Sequence, residues 1–279
     1  MNTLTAEWIA AFEQHLKGEE RSAGTVEKYL RDVRQFAVWL DGGAVTKDAV
    51  AGWKEYLRAE GYGPTTINGK LAALNALLRL MGWEDCRVKP LRLQKRMFRD
   101  SGKELTRQEY GHLIETARGQ GKARLALLME TICSTGIRVS EVQYVTVAAA
   151  QTGKAEISLK GKIRTVLLPG KLCRKLLKYA KKEKIASGEI FLTRSGNSLS
   201  RKQIWAEMKA LCQAAGVEPA KVFPHNLRHL FATVFYQACR DIAKLADVLG
   251  HSSIETTRIY LRTAGAEHAR QLERLGLIC

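Results

Sequence analysis

Apolar residues recur at helical spacing along nearly the whole of this 279-residue chain, and Gly and Pro cut the pattern into lengths of a few turns. A chain built this way is committed to a mainly helical fold. After Ser22, the positions Val26, Tyr29, Leu30, Val33, Phe36, Ala37 and Leu40 share one helical face. Gly42 and Gly43 are expected to end that helix. Thr46 opens another, carrying Trp53 and Leu57, which Gly61-Tyr62-Gly63-Pro64 breaks. Ile67, Leu71, Leu74, Leu78 and Met81 mark the next. With residues 5–17, four helices are expected by about residue 83, and their apolar stripes read as core.

Residues 84–103 change character: they are basic, contain Pro90 and have weak periodicity. Helical units of different style flank them, which favours a linker over a loop. The expected layout is a helical unit over 1–84, a basic linker over 85–103 and a second unit over 104–279. The second unit opens with a capping box, Thr106-x-x-Glu109, with Leu105 and Tyr110 placed as a hydrophobic staple. Residues 155–159 and 163–168 are rich in β-branched side chains and read as a hairpin with Lys160-Gly161-Lys162 at its tip. Helix returns at Lys171, and further boxes begin at Ser200 and Ser252. The fold class is therefore mainly α with a small β-hairpin, the second unit being α+β.

Six cysteines are scattered without a CxxC pair, which argues against a structural zinc site and a disulfide framework. The first twenty residues lack the basic-then-apolar order of a signal peptide, and no apolar run approaches membrane-spanning length. A reducing cytoplasm is the expected location. The net charge of +17 points to a polyanionic partner, nucleic acid ahead of a membrane surface. The charge is concentrated: Lys160 to Lys184 holds ten basic residues and one acid, and Arg87, Lys89, Arg92, Lys95, Arg96 and Arg99 form a second cluster.

Four segments carry candidate chemistry: TGIRVSE (135–141), LKGKIR (159–164), HNLRH (225–229) and LGHSSIETTRIY (249–260). Each alone has a bland reading, such as a surface arginine, a solvated hairpin lysine, core histidines or a packing tyrosine. Together, in this order and spacing, they closely resemble the tyrosine recombinase (phage integrase) family, and the resemblance covers essentially the whole chain. The family's six-residue signature maps onto Arg138, Lys160, His225, Arg228, His251 and Tyr260. The first unit is similar to the family's core-binding, SAM-like domain and the second to its catalytic domain. Length and layout look like the Xer recombinases and short mobile-element integrases.

The resemblance implies a site-specific recombinase that cuts and rejoins DNA through a 3′-phosphotyrosyl link, without metal, ATP or other cofactor. Tyr260 would be the nucleophile. A phenol has a reference pKa near ~10, so it needs activation by surrounding cations. Arg138 and Arg228 would grip the non-bridging oxygens, since guanidinium stays ionised and pairs with them geometrically. His225 and Arg228, three apart, share a helix face. His251 would donate a hydrogen bond or act as base. Lys160 would protonate the leaving oxygen; Lys162 is the other candidate, and Lys160 is preferred because a Gly follows it. Glu141 matches the family's acidic position, where it either orients the site or makes an ordinary salt bridge. His251 and Tyr260, nine apart, would face opposite sides of a straight helix, so a break is expected after His251. Asn226 stands where the family often has Asp, a departure expected to change little. His225 and His229 lack the glutamate of HExxH, so no metal is assigned there.

The resemblance also implies double-stranded DNA sites as partners and a homo-tetramer, or a hetero-tetramer with a related recombinase, on two sites. The tail beyond Tyr260 has an apolar stripe (Ala264, Ala266, Ala269, Leu272, Leu275, Leu277, Ile278) that would pack on a neighbour or on its own core. Three rivals share features: a type IB topoisomerase, a non-catalytic DNA-binding relative and an RNA-binding protein. The small helical first unit and the LGH segment speak against the first, the complete six-residue set against the second, and that constellation against the third.

Overall fold

The computed structural model describes residues 2–93, 101–159 and 162–261, with backbone only for Ser101, Leu159, Lys162 and Leu261. The chain divides into two compact units, Met1–Lys95 and Arg96–Cys279.

The first unit is four helices: α1 (Ala6–Gly18), α2 (Ala23–Leu40), α3 (Lys47–Ala59) and α4 (Pro64–Leu80). Their stripes close around Phe12, Phe36 and Trp53, with Phe36 edge-on to Trp53 at 5.1 Å. Thr46 caps α3 by accepting the Ala49 N–H. Pro64 sits at the start of α4, where its missing N–H costs nothing. The end of α2 differs from expectation by one residue: Asp41 already takes the left-handed conformation (φ 47°), ahead of Gly42. Residues 88–91 are fastened to α4 by two side-chain amides. Asn68 brackets the Leu91 peptide (2.7 and 2.9 Å) and Asn75 the Val88 peptide (3.0 and 3.3 Å). The beginning of the stretch read as linker is thereby part of this unit.

The second unit is built on α5 (Arg107–Gly119) and α6 (Ala123–Thr135). The capping box of α5 forms in both directions, 3.1 Å from the Glu109 N–H to Thr106 and 2.8 Å from the Thr106 N–H to Glu109. Helix α6 is buried on most of its circumference and ends at Gly136, whose φ of 66° suits only glycine comfortably. Next come α7 (Val147–Thr152), strands β1 (Lys154–Leu159) and β2 (Lys162–Leu167), α8 (Gly170–Lys182), α9 (Arg201–Lys209) and α10 (Cys212–Ala215). The strands pair antiparallel with Ala155 opposite Val166 and Ile157 opposite Arg164. Ala155, Ile157 and Val166 turn into the core while Ile163 and Leu167 face out. Helix α8 buries Leu172, Leu176 and Ala180 and turns its lysines outward, so the α8 part of the basic run is a solvated face. The unit continues with α11 (Pro224–Cys239), α12 (Ile242–Leu249) and α13 (Ile254–Thr257), then a 3₁₀ turn over Arg258–Leu261. The last cap falls on Ser253, not Ser252.

Candidate active site

The pocket forms where the C-terminal end of α6, the start of α11 and the turn after α12 converge. Pro224 starts α11, so His225 and Arg228 fall in its first turns on one face. Gly250 ends α12 in the left-handed conformation (φ 62°), which places the expected helix break ahead of His251 and not after it. The chain then folds back through α13. His251 and Tyr260 end with rings nearly parallel (11°) and centroids 6.0 Å apart.

Arg228 is the centre. It is only 2% exposed. Its Nη1 donates to the Gly136 carbonyl and its Nη2 to the Leu249 carbonyl (2.9 Å) and to His251 Nε2 (2.9 Å). The Tyr260 hydroxyl also lies within hydrogen-bonding reach of the guanidinium, so at least three of its five N–H groups are committed among the described residues. Burial first, then the charge of Arg138, pulls its pKa down to about 10, which leaves it protonated at neutral pH.

A guanidinium can only donate, so His251 Nε2 is the acceptor and carries no proton. The proton sits on Nδ1, which donates to Thr257 Oγ1 at 2.9 Å. Burial and the charges of Arg228, Arg138 and Arg164 lower the His251 pKa to about 4, so the ring is neutral. In this arrangement it can accept a proton at Nε2 only after Arg228 lets go. His225 is pushed down for the same reasons: burial, then Arg228, then Arg138.

Glu141, 3% exposed, makes the salt bridge to Arg138 and also holds a second arginine. It accepts from the Arg138 backbone N–H (2.7 Å), from Arg138 Nη1 (2.9 Å) and from Arg164 Nη2 (2.6 Å). Burial pushes its pKa up. The Arg138 N–H, the Arg164 charge and the side-chain bonds outweigh that and hold it below the usual carboxylate value. Tyr260 is 3% exposed, packed on Ala232, Leu245 and Leu249, with the His229 ring edge-on at 4.9 Å.

The structure therefore brings Arg138, His225, Arg228, His251 and Tyr260 to one pocket. Lys160 lies outside the described residues, as does the tail after Leu261. Among the described residues, Arg138, Arg164 and Arg228 surround one buried carboxylate, Glu141, beside neutral imidazoles, a setting for a phosphodiester anion.

Several participants escaped sequence reasoning. Arg164 carried a signal: strand alternation puts it on the same face as buried Val166, an unusual place for a charge. Asn226 is more consequential than expected. It is buried, and its amide donates to the carbonyls of Lys103 and Lys221, both at 2.8 Å. An ionised Asp could donate to neither. His229, which the sequence offers only as a metal-ligand candidate, packs on Tyr260. Thr257 left no signal.

The pattern of the phage integrase family matches residues 103–267, and that of the phage integrase N-terminal SAM-like domain matches residues 9–85. The chain is 30% identical over 276 residues to the tyrosine recombinase XerA of Thermococcus kodakarensis, covering 96% of this chain and 94% of that one. Its fold is similar to a lambda integrase dimer bound to a COC' core site (TM-score 0.75, 17% identity, 92% of this chain and 95% of the other). It is also similar to a lambda integrase tetramer bound to a Holliday junction (TM-score 0.75, 18% identity, 93% and 78%).

Proposed function

The chain belongs to the phage integrase family of tyrosine recombinases, and on that footing we propose which residues carry its site-specific DNA recombination. Tyr260 Oη attacks the scissile phosphorus, forming a phosphotyrosyl bond to the DNA 3′ end and releasing the 5′ oxygen. Arg138 and Arg228 hold the non-bridging oxygens as charge builds on them. His251 Nε2 takes the phenolic proton once Arg228 turns to the substrate, and the imidazolium so formed can then donate to the phosphoryl group. His225 completes the rim. Lys160 supplies the proton to the leaving oxygen. The energy of the broken ester stays in the phosphotyrosyl bond. Attack by a 5′ hydroxyl from the partner site reverses the chemistry, so the cycle balances without ATP.

The observation that carries this reading is the joint placement of Tyr260, His251 and Arg228 beside a carboxylate-anchored Arg138. Tyr260 is sheltered in the free protein, so DNA binding has to expose its hydroxyl. Exchange between two sites requires four cleavages, and the assembly is a tetramer of this chain or of this chain with a relative. The lambda integrase tetramer on a Holliday junction supports that reading. Among the described residues, no helix is long and apolar enough to cross a membrane.

The test is to incubate the protein with the genomic DNA flanking its own gene, quench with denaturant and look for a covalent protein–DNA adduct. An adduct in the native chain that is absent in Tyr260→Phe supports the assignment. Bound DNA without an adduct favours a non-catalytic relative. Affinity should fall steeply with salt, because a basic clamp releases counterions from phosphates; a flat response would contradict it.

A further inference from the structure

Arg164 is outside the six-residue set, yet it ties together the elements that frame the pocket. It projects from the inner face of β2, and its guanidinium spans two groups far apart in sequence. Nη2 reaches Glu141 (2.6 Å) and Nη1 reaches the Val248 carbonyl near the end of α12 (3.2 Å). Its stem and guanidinium lie against Gly250. A Cβ there would run into Arg164 Cδ and come within 2.7 Å of Nη1 and 2.9 Å of Nε. Only a glycine lets the arginine lie so close, and the backbone is left-handed there as well (φ 62°). Arg164 Nε is buried and donates to nothing among the described residues.

We propose that Arg164 is a positioning residue for strand transfer: it bridges Glu141 to the end of α12 and so fixes the turn that presents His251 to Arg228 and Tyr260. The proposal rests on the placement of His251 in the reacting pocket. Glu141 holds Arg138 through backbone and side chain together, so one guanidinium sets the distance between the phosphate-gripping Arg138 and the imidazole. The planar, two-armed head is what the task requires. A lysine could satisfy Glu141 or the Val248 carbonyl, but as a point charge it could not hold both in one plane.

His251 is faced by Arg228 and His225 from α11, Arg138 from the segment after α6, Arg164 from β2 and Tyr260 from the terminal turn. Its tautomer reports the geometry directly, since Arg228 must donate to Nε2 and Thr257 must accept from Nδ1. The experiment is ring-nitrogen NMR of the full chain with ¹⁵N-histidine, titrated between about pH 4 and pH 8. It compares the native protein with Arg164→Lys and Arg164→Ala, using His251→Gln for assignment.

The native protein should show His251 neutral and protonated on Nδ1 alone. Arg164→Lys should keep the fold and the charge but give mixed tautomers, and should slow adduct formation on the order of 10²-fold with DNA binding unchanged. Arg164→Ala should in addition raise the His251 pKa, because a neighbouring cation is gone. Unchanged His251 signals in Arg164→Lys overturn the proposal, and so does an Arg164→Lys protein that no longer folds, which would make Arg164 a residue of stability alone. The spectra are read on the free protein. A native chain that forms no adduct would therefore count against the catalytic reading without deciding this one.

Discussion

The two units bury charge on opposite terms. In the N-terminal unit the buried cation is Lys70, and it faces the buried carboxylate of Asp32 at 3.4 Å, with Lys28 joining Asp32 at 2.9 Å. In the C-terminal unit the buried cation is Arg228, and its partners are two carbonyls, a neutral imidazole and the Tyr260 hydroxyl. The first arrangement puts one buried carboxylate among cations of α2 and α4 and so fixes the two helices against each other. The second holds its charge with no carboxylate paired to it among the described residues, an arrangement that an incoming anion would stabilise. The difference separates a unit built to be stable from one holding a place for substrate.

The strongest way to break this contrast is Tyr260→Phe. We expect no covalent adduct at all, with DNA binding retained and little change in melting temperature, because the Phe ring keeps the packing on Ala232, Leu245 and Leu249. Retained adduct would remove Tyr260 from its role. Next come the two arginines. Arg138→Ala and Arg228→Ala should each slow adduct formation by roughly 3 kcal/mol of transition-state stabilisation, like other oxyanion donors. Only Arg228→Ala should also lower the melting temperature, since it strands the carbonyls of Gly136 and Leu249, whereas Arg138 is half-exposed. Equal thermal effects would erase the distinction drawn here.

In the N-terminal unit, Asp32→Ala should cost roughly 3 kcal/mol by leaving Lys70 buried without its carboxylate. Adduct formation at saturating protein should be untouched. A rate loss there would mean that the pair does more than hold helices. The smallest effect is a graded one with pH. The folded-state pKa of His251, about 4, lies below the unfolded value near ~6.5. The unfolded chain therefore takes up the proton first as pH falls. The stability that comes with a neutral His251 is complete above about pH 6.5 and is lost progressively toward pH 4. Melting curves of the C-terminal unit should follow that window and flatten in His251→Gln. Trp205, the one tryptophan of the chain beyond residue 83, reports on this unit. A pH response that survives in His251→Gln would assign it to another group.

Much of this was written locally. The four N-terminal helices, the hairpin within one residue of its expected bounds, the Thr46 and Thr106 caps and the order of the signature segments all follow from spacing and turn chemistry. These act over three or four residues, and a linear pattern contains them in full. What the sequence could not decide was who meets whom. Arg164 and Val248 are 84 residues apart, Arg228 and Gly136 are 92 apart, and Asn226 and Lys103 are 123 apart. The choice of Ser253 over Ser252 as cap depended on α12 ending at Gly250, where the Arg164 side chain lies against the turn. Local propensity sets which elements form. The hydrogen-bond partner of a buried charge is set by which carbonyls and carboxylates the packed core leaves within reach, and that exists only once the chain has folded.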